Sequence, residues 1–212
     1  LRYASGELHH ISLALASHFM ITTVNSSNRP SGELYQQVSV LTQYLEMTSP
    51  PLPATPSLPE TLACVRWFSP DPQEYLALYN EVGAPWGWSG RLRLGEQALA
   101  ETLSSPGNRV YRLYETACNA AIGFFELDVE NPKSVEIVYL GLSPESIGKG
   151  YGKYLLNASI SHAWSEEPKR VWLHTCEFDH VRALEAYKRC GFVQYDERVE
   201  MEYYPRAFLE TR

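Results

Sequence analysis

Val135-Glu-Ile-Val-Tyr-Leu-Gly-Leu-Ser-Pro-Glu-Ser-Ile-Gly-Lys-Gly-Tyr-Gly-Lys-Tyr-Leu-Leu156 opens as an apolar strand, turns through glycines at alternate positions and continues as an amphipathic helix. Gly148, Gly150 and Gly152 free the backbone to aim successive N–H groups inward at an anion. The helix that follows adds the positive end of its dipole, and Lys149 and Lys153 add full charges. Strand, anion nest and helix in one run predict a site for a phosphorylated cofactor.

The glycine pattern excludes two common phosphate loops. A Walker loop requires a glycine where Ile147 stands and a hydroxyl where Tyr154 follows Lys153. A dinucleotide fingerprint beginning at Gly148 requires its third glycine where Lys153 stands. What remains resembles the acetyl-CoA pyrophosphate loop of the GNAT superfamily, Gln/Arg-x-x-Gly-x-Gly/Ala: Gly150 and Gly152 match it and Ile147 departs from it. A second motif follows in Asp179-His-Val-Arg-Ala-Leu-Glu-Ala-Tyr-Lys-Arg-Cys-Gly-Phe192. Ala183, Tyr187, Gly191 and Phe192 keep the GNAT spacing, while His180 takes the place of the usual Asn. Asp179 is a sound N-cap, Gly191 a sound C′ residue, and Ala183 and Tyr187 share a helix face. The resemblance covers residues 61 to 195 and is strongest after Ser134.

At 212 residues and 44% hydrophobic content the chain can bury one full core, and no apolar run reaches the length of a bilayer span. A formal net charge of −7 with no basic cluster beyond the glycine loop argues against nucleic acid and favours cationic or amine partners. No membrane partner is expected, and a homodimer is compatible with the chain. Cys64, Cys118, Cys176 and Cys190 lack CxxC spacing, so reduced thiols and a cytoplasmic location are expected.

Ser49 to Pro59 is a proline-rich connector, expected to separate an N-terminal extension (residues 1–59) from an acetyltransferase domain (residues 60–207). Gln37–Glu46 fits strand and helix spacing, with strand preferred, and Leu8–Val24 is expected as a helix of an accessory arm. The start at Leu1 fits a processed or trimmed terminus. After the connector the pattern predicts strand 61–68, helices 72–82 and 94–103, and strands 109–115, 120–130 and 134–142. Helix 150–165, strand 170–178, helix 179–190 and closing strands 192–196 and 199–204 complete it. Periodicity alone says α/β. The order matches that of GNAT proteins, and the resemblance implies a mixed central β-sheet with helices on both faces and acetyl-CoA entering between two splayed parallel strands.

Moving an acetyl group to an amine requires a proton acceptor, polarisation of the thioester carbonyl and a proton for the departing thiolate. In strand 134–142, alternation places Glu136 with Val138, Leu140 and Leu142. A carboxylate in an apolar row suits a general base, and Glu-Ile-Val-Tyr resembles the segment bearing the catalytic glutamate in the histone-acetylating GNAT branch. Gly141 within the apolar strand suggests a bulge or a close backbone approach. By resemblance, N–H groups at Leu140, Gly141 and Leu142 hold the pantetheine arm and thioester oxygen. The resemblance also gives Gly148, Lys149, Gly150, Tyr151, Gly152, Lys153 and His180 to the rest of the cofactor. Tyr187, protonated near neutrality, is the candidate acid. Trp86, Trp88 and Arg91, in the aromatic run after the first helix, are expected at the acceptor side, where packing as a structural lid is the competing account. His174, Cys176, His180 and Cys190 lack zinc-ligand spacing, so no metal is expected. The expected acceptor is a small-molecule amine or a protein lysine or N-terminus. The alternatives are a catalytically silent CoA-binding regulatory module and a cysteine-dependent acyltransferase working through Cys176.

Overall fold

A computed structural model of the protein describes residues 34–51, 57–117 and 120–212. The helix expected over Leu8–Val24 and the thiol of Cys118 lie outside the described residues. The described strands are β1 (Tyr35–Met47), β2 (Leu62–Trp67), β3 (Asn108–Glu115), β4 (Ala120–Asp128), β5 (Ser134–Leu142), β6 (Arg170–Cys176) and β7 (Val193–Pro205). The helices are α1 (Pro72–Gly83), α2 (Glu96–Ser104), α3 (Gly152–Trp164), α4 (Ala183–Arg189) and the single turn α5 (Arg206–Leu209). The strands form one mixed sheet in the order β2-β3-β4-β5-β6-β1-β7. β5 and β6 run parallel, and the other neighbours are antiparallel.

Alternation along β4 shows why both faces are covered. Phe125 and Leu127 join the core beneath α3, whereas Phe124 joins Tyr75, Tyr79 and Val82 of α1 and Leu99 and Leu103 of α2 on the opposite face. α1 starts where Asp71 accepts hydrogen bonds from the Gln73 and Glu74 amides and Pro72 fills the first turn. α3 buries Leu155, Leu156, Ile160 and Ala163, one helical stripe, against the sheet.

Three expectations are corrected. The domain boundary at Pro59 cuts through the sheet, because β1, which precedes the proline connector, is inserted between β6 and β7 with Tyr44 opposite His174 and Val40 opposite Glu200. Proline interrupts secondary structure locally, but Val40 and Leu45 are fully buried on opposite faces of β1, so this strand is an interior part of the fold. The two closing strands are one, β7, which stays paired with β1 past a register shift at Tyr195, opposite Tyr44 and Leu45. The helix expected from Asp179 starts instead at Ala183, since the Asp179 carboxylate accepts from Thr175 Oγ1 at 2.7 Å and the Cys176 amide at 3.0 Å, fastening the loop to the end of β6. Its C-terminus is as expected. Gly191 takes φ 101°, with Phe192 N donating to Tyr187 O and Gly191 N to Lys188 O.

Candidate active site

The turn between β5 and α3 has the geometry of an anion cradle. Gly148 and Gly150 both take φ +84°, and a Cβ on either would project into open space. Backbone at this φ turns neighbouring N–H groups to one side. Among the described residues, no backbone carbonyl accepts from the amides of Gly148, Lys149, Gly150, Gly152 or Lys153. α3 begins at Gly152 without a side-chain cap, leaving the Gly152 and Lys153 amides for an incoming acceptor. Lys153 lies over the Tyr154 ring, 4.7 Å from its centroid, and Lys149 is exposed.

β5 and β6 pair only from Ser134 opposite Arg170 to Glu136 opposite Trp172 and then separate. At that point β5 also slips against β4: Leu127 faces Ile137 and Glu126 faces Tyr139, so Val138 is the extra residue of a bulge. The bulge reverses alternation. Tyr139 thereby joins Glu136's face, packing on Tyr79 and Trp88, while Leu140 and Leu142 pack against the α3-side core. The apolar row expected around Glu136 is thus replaced by a bulged strand with an aromatic neighbour. Gly141 is not the bulge. A Cβ there would meet Val82 Cγ1 at 2.4 Å and Trp88 Cη2 at 3.2 Å, so this glycine lets α1 and the aromatic loop approach the sheet.

The separated strands open onto a cavity of about 340 Å³, within the range of small-molecule sites. Glu136 and Tyr187 both line it, as do Val138 and Leu140 from the bulged strand. The Glu136 carboxylate meets His174 Nδ1 at 3.4 Å. Burial pulls the His174 pKa down, but Glu136, Asp179 and Glu202 outweigh it, so the net shift is upward. Burial, with the Asp179 charge, raises the Tyr187 pKa and keeps its phenol protonated. No protein group among the described residues hydrogen-bonds the Tyr187 hydroxyl. Cys176 also faces the cavity, with Sγ 3.3 Å from the Tyr204 hydroxyl. Burial and Asp179 raise its pKa, which favours the thiol over the nucleophilic thiolate.

Of the three expected acceptor-side residues, Trp88 lines the cavity and Trp86 and Arg91 do not. Trp86 packs edge-on against His180, with centroids 5.3 Å apart, and His180 Nδ1 accepts from the Arg182 amide. The Arg91 guanidinium is paired with Glu126, a fully buried carboxylate that also accepts from the Tyr75 hydroxyl. Sequence reasoning missed Tyr44, Trp172, Glu200 and Glu202, which join the cavity wall. Trp172 stands opposite Glu136 on the β5–β6 ladder. Period-two alternation along β1 and β7 carried a signal for Tyr44, Glu200 and Glu202, but only the insertion of β1 between β6 and β7 brings those three to the cavity.

The fold is a seven-stranded mixed sheet that splays at its parallel pair, with a glycine turn leading from β5 into α3. Residues 63–192 match the Acetyltransferase (GNAT) family, and the chain belongs to that family. It is 27% identical over 165 residues to a mycothiol acetyltransferase of Jonesia denitrificans, covering 76% of this chain and 52% of that protein. A tandem GNAT protein from the clavulanic acid biosynthesis pathway superposes with a TM-score of 0.56 at 22% identity, over 82% of this chain and 55% of that one. The spermidine N-acetyltransferase of Vibrio cholerae, in complex with CoA and spermine, gives 0.53 at 19% identity, over 71% and 99%. The chain thus spans about half the length of the first two. Among the described residues no helix is long and apolar enough to cross a membrane.

Proposed function

We propose that this protein transfers an acetyl group from acetyl-CoA directly to an amine, with Glu136 accepting the amine proton and Tyr187 donating to the departing sulfur. The observation that carries this reading is that both residues line one cavity where β5 and β6 separate. The residues present fit the cofactor. Gly148, Lys149, Gly150, Gly152 and Lys153 offer amides that no backbone carbonyl claims among the described residues, and two lysines, to the pyrophosphate, and β5 beyond Glu136 has no partner strand on the β6 side, leaving its backbone for an amide-bearing arm. Bound acetyl-CoA would supply an activated acetyl thioester.

Glu136, directly or through a water, removes the proton that keeps an ammonium from acting as a nucleophile. The bulge at Val138 to Leu140 lines the opening, and a backbone N–H on its unpaired edge would suit the carbonyl oxygen on which negative charge develops. Tyr187, held protonated by its surroundings, presents its unclaimed hydroxyl as the acid. Residues 60–207 together with β1 form the catalytic unit in this reading. We place it in the cytoplasm, in keeping with the free thiols of Cys64, Cys176 and Cys190. The raised thiol pKa of Cys176 speaks against an acyl-enzyme route.

The test is release of free CoA from acetyl-CoA against a panel of amines, with the acetylated product identified by mass. Amine-dependent release that survives Cys176→Ala supports direct transfer. CoA binding with no turnover against any amine would leave a binding module, and loss of turnover in Cys176→Ala would leave the acyl-enzyme.

A further inference from the structure

The cavity wall has a composition that acetyl transfer alone does not require. Among the described residues four carboxylates line the cavity, Glu136, Asp179, Glu200 and Glu202, and no lysine or arginine does. Asp179 is committed to Thr175 and the Cys176 amide. Glu136 faces His174. Glu200 accepts one hydrogen bond, from the Tyr44 hydroxyl, and among the described residues neither Glu200 nor Glu202 forms an ion pair. Burial and the neighbouring Glu200 charge raise the Glu202 pKa, opposed by His174 and Arg93. Arg198 lies over the Tyr44 ring, 4.7 Å from its centroid, and its charge acts on Glu200, but it makes no ion pair with it among the described residues. Two carboxylates on alternate residues of one strand, turned the same way, repel each other.

The sheet order fixes where this charge sits. Glu136 stands on β5 and Glu200 and Glu202 on β7, with β6 and β1 between them. Across the sheet that is three strand spacings, about 14 Å, and the register sets Glu200 a further six residues along β1 from the rung of Glu136. The side chains nevertheless converge on one cavity, where His174 feels the charges of both Glu136 and Glu202. Tyr44 and Trp172, whose rings lie 6.3 Å apart, form an apolar floor between the two ends. Carboxylate, aromatic floor and paired carboxylates are complementary to an ammonium, a short alkyl stem and a second ammonium.

We infer that the acceptor is a dicationic amine, its reacting nitrogen at Glu136 and its second cationic centre held by Glu200 and Glu202. This inference rests on the acetyl-transfer reading and names the substrate class for the same site. The strand that precedes the proline connector is then part of specificity, because Tyr44 of β1 anchors Glu200.

The experiment compares kcat/KM for diaminobutane, butylamine and aminobutyrate in the wild type and in the E200Q/E202Q double variant, with CoA affinity measured by calorimetry on both proteins. The amides keep size and leave an acceptor for Tyr44. Diaminobutane is expected to exceed butylamine by about 10- to 100-fold, the worth of one charge-assisted hydrogen bond, with aminobutyrate poorest. In the double variant that ratio collapses toward unity while CoA affinity holds. Equal use of butylamine, preference for aminobutyrate, no turnover of the diamine, or an unchanged ratio in the double variant overturns the dication. Absence of CoA binding overturns the acetyl-transfer reading itself.

Discussion

Glu136 Oε1 lies 3.4 Å from His174 Nδ1 across the end of the parallel pair, with Glu136 on the last rung of the β5–β6 ladder and His174 beyond it on β6. Strand separation starts at this contact, so the carboxylate proposed as base stands at the mouth of the opening, beside a group whose charge changes near neutral pH.

Replacing Glu136 with Gln keeps the shape and removes the proton acceptor. Turnover is expected to fall by roughly 10²- to 10⁴-fold with CoA affinity little changed. Steady-state kinetics beside calorimetric CoA titration checks this; near-normal turnover at neutral pH would assign proton removal to another group.

The His174–Glu136 contact also sets a pH dependence of stability. The folded pKa of His174 is raised above its ordinary value, so folding binds a proton more tightly at this site. The resulting stabilisation is fully present below about pH 6.5, the unfolded value, and is lost as pH rises through the raised folded value. The Tm difference between wild type and His174→Gln is therefore expected to be larger in mild acid and to narrow as pH rises. A gap that widens with rising pH would contradict this.

At the cradle, Gly150→Asp places a Cβ on backbone at φ +84° and a negative charge beside the amides of Lys149 to Lys153. CoA affinity is expected to fall by more than about tenfold, or ~1.4 kcal/mol. Gly150→Ala meets open space and carries the backbone strain without the charge, so it is expected to fall between Asp and wild type. Titration of the folded variants with CoA measures both.

Tyr187→Phe removes a hydroxyl with no hydrogen-bonding partner among the described residues. The expected result is a turnover loss of about tenfold or more with the Tm nearly unchanged. A large loss of Tm with proportionate loss of activity would instead mark the residue as packing for Phe192, whose ring lies 6.2 Å away.

The Arg91–Glu126 pair predicts a stability effect outside the cavity. Glu126→Gln leaves the Arg91 guanidinium buried beside a neutral amide, and a loss of about 3–5 kcal/mol is expected, as for other broken buried pairs. Replacing both partners with apolar residues is expected to recover much of that loss. Equilibrium denaturation of the two variants provides the comparison.

Local chemistry determined much of this protein. Glycines at alternate positions specify a turn with positive φ at Gly148 and Gly150 ahead of α3, Gly191 specifies the end of α4, and the spacing of apolar residues specifies most of the strands and helices, because each depends on backbone preferences within a few residues. The tertiary structure decided what depends on pairing. β1 lies far from β6 and β7 in sequence, and only its insertion between them places Tyr44 by His174 and Glu200. The slip at Val138 reversed the face of β5 after Glu136, which alternation by itself cannot foresee, since one extra residue turns every later side chain over. Arg91 read as an acceptor-side residue from its loop, but the fold brings the carboxylate of Glu126 within reach of it. Burial of that carboxylate commits the guanidinium to the core, because an unpaired charge there costs far more than the contact it would offer a substrate.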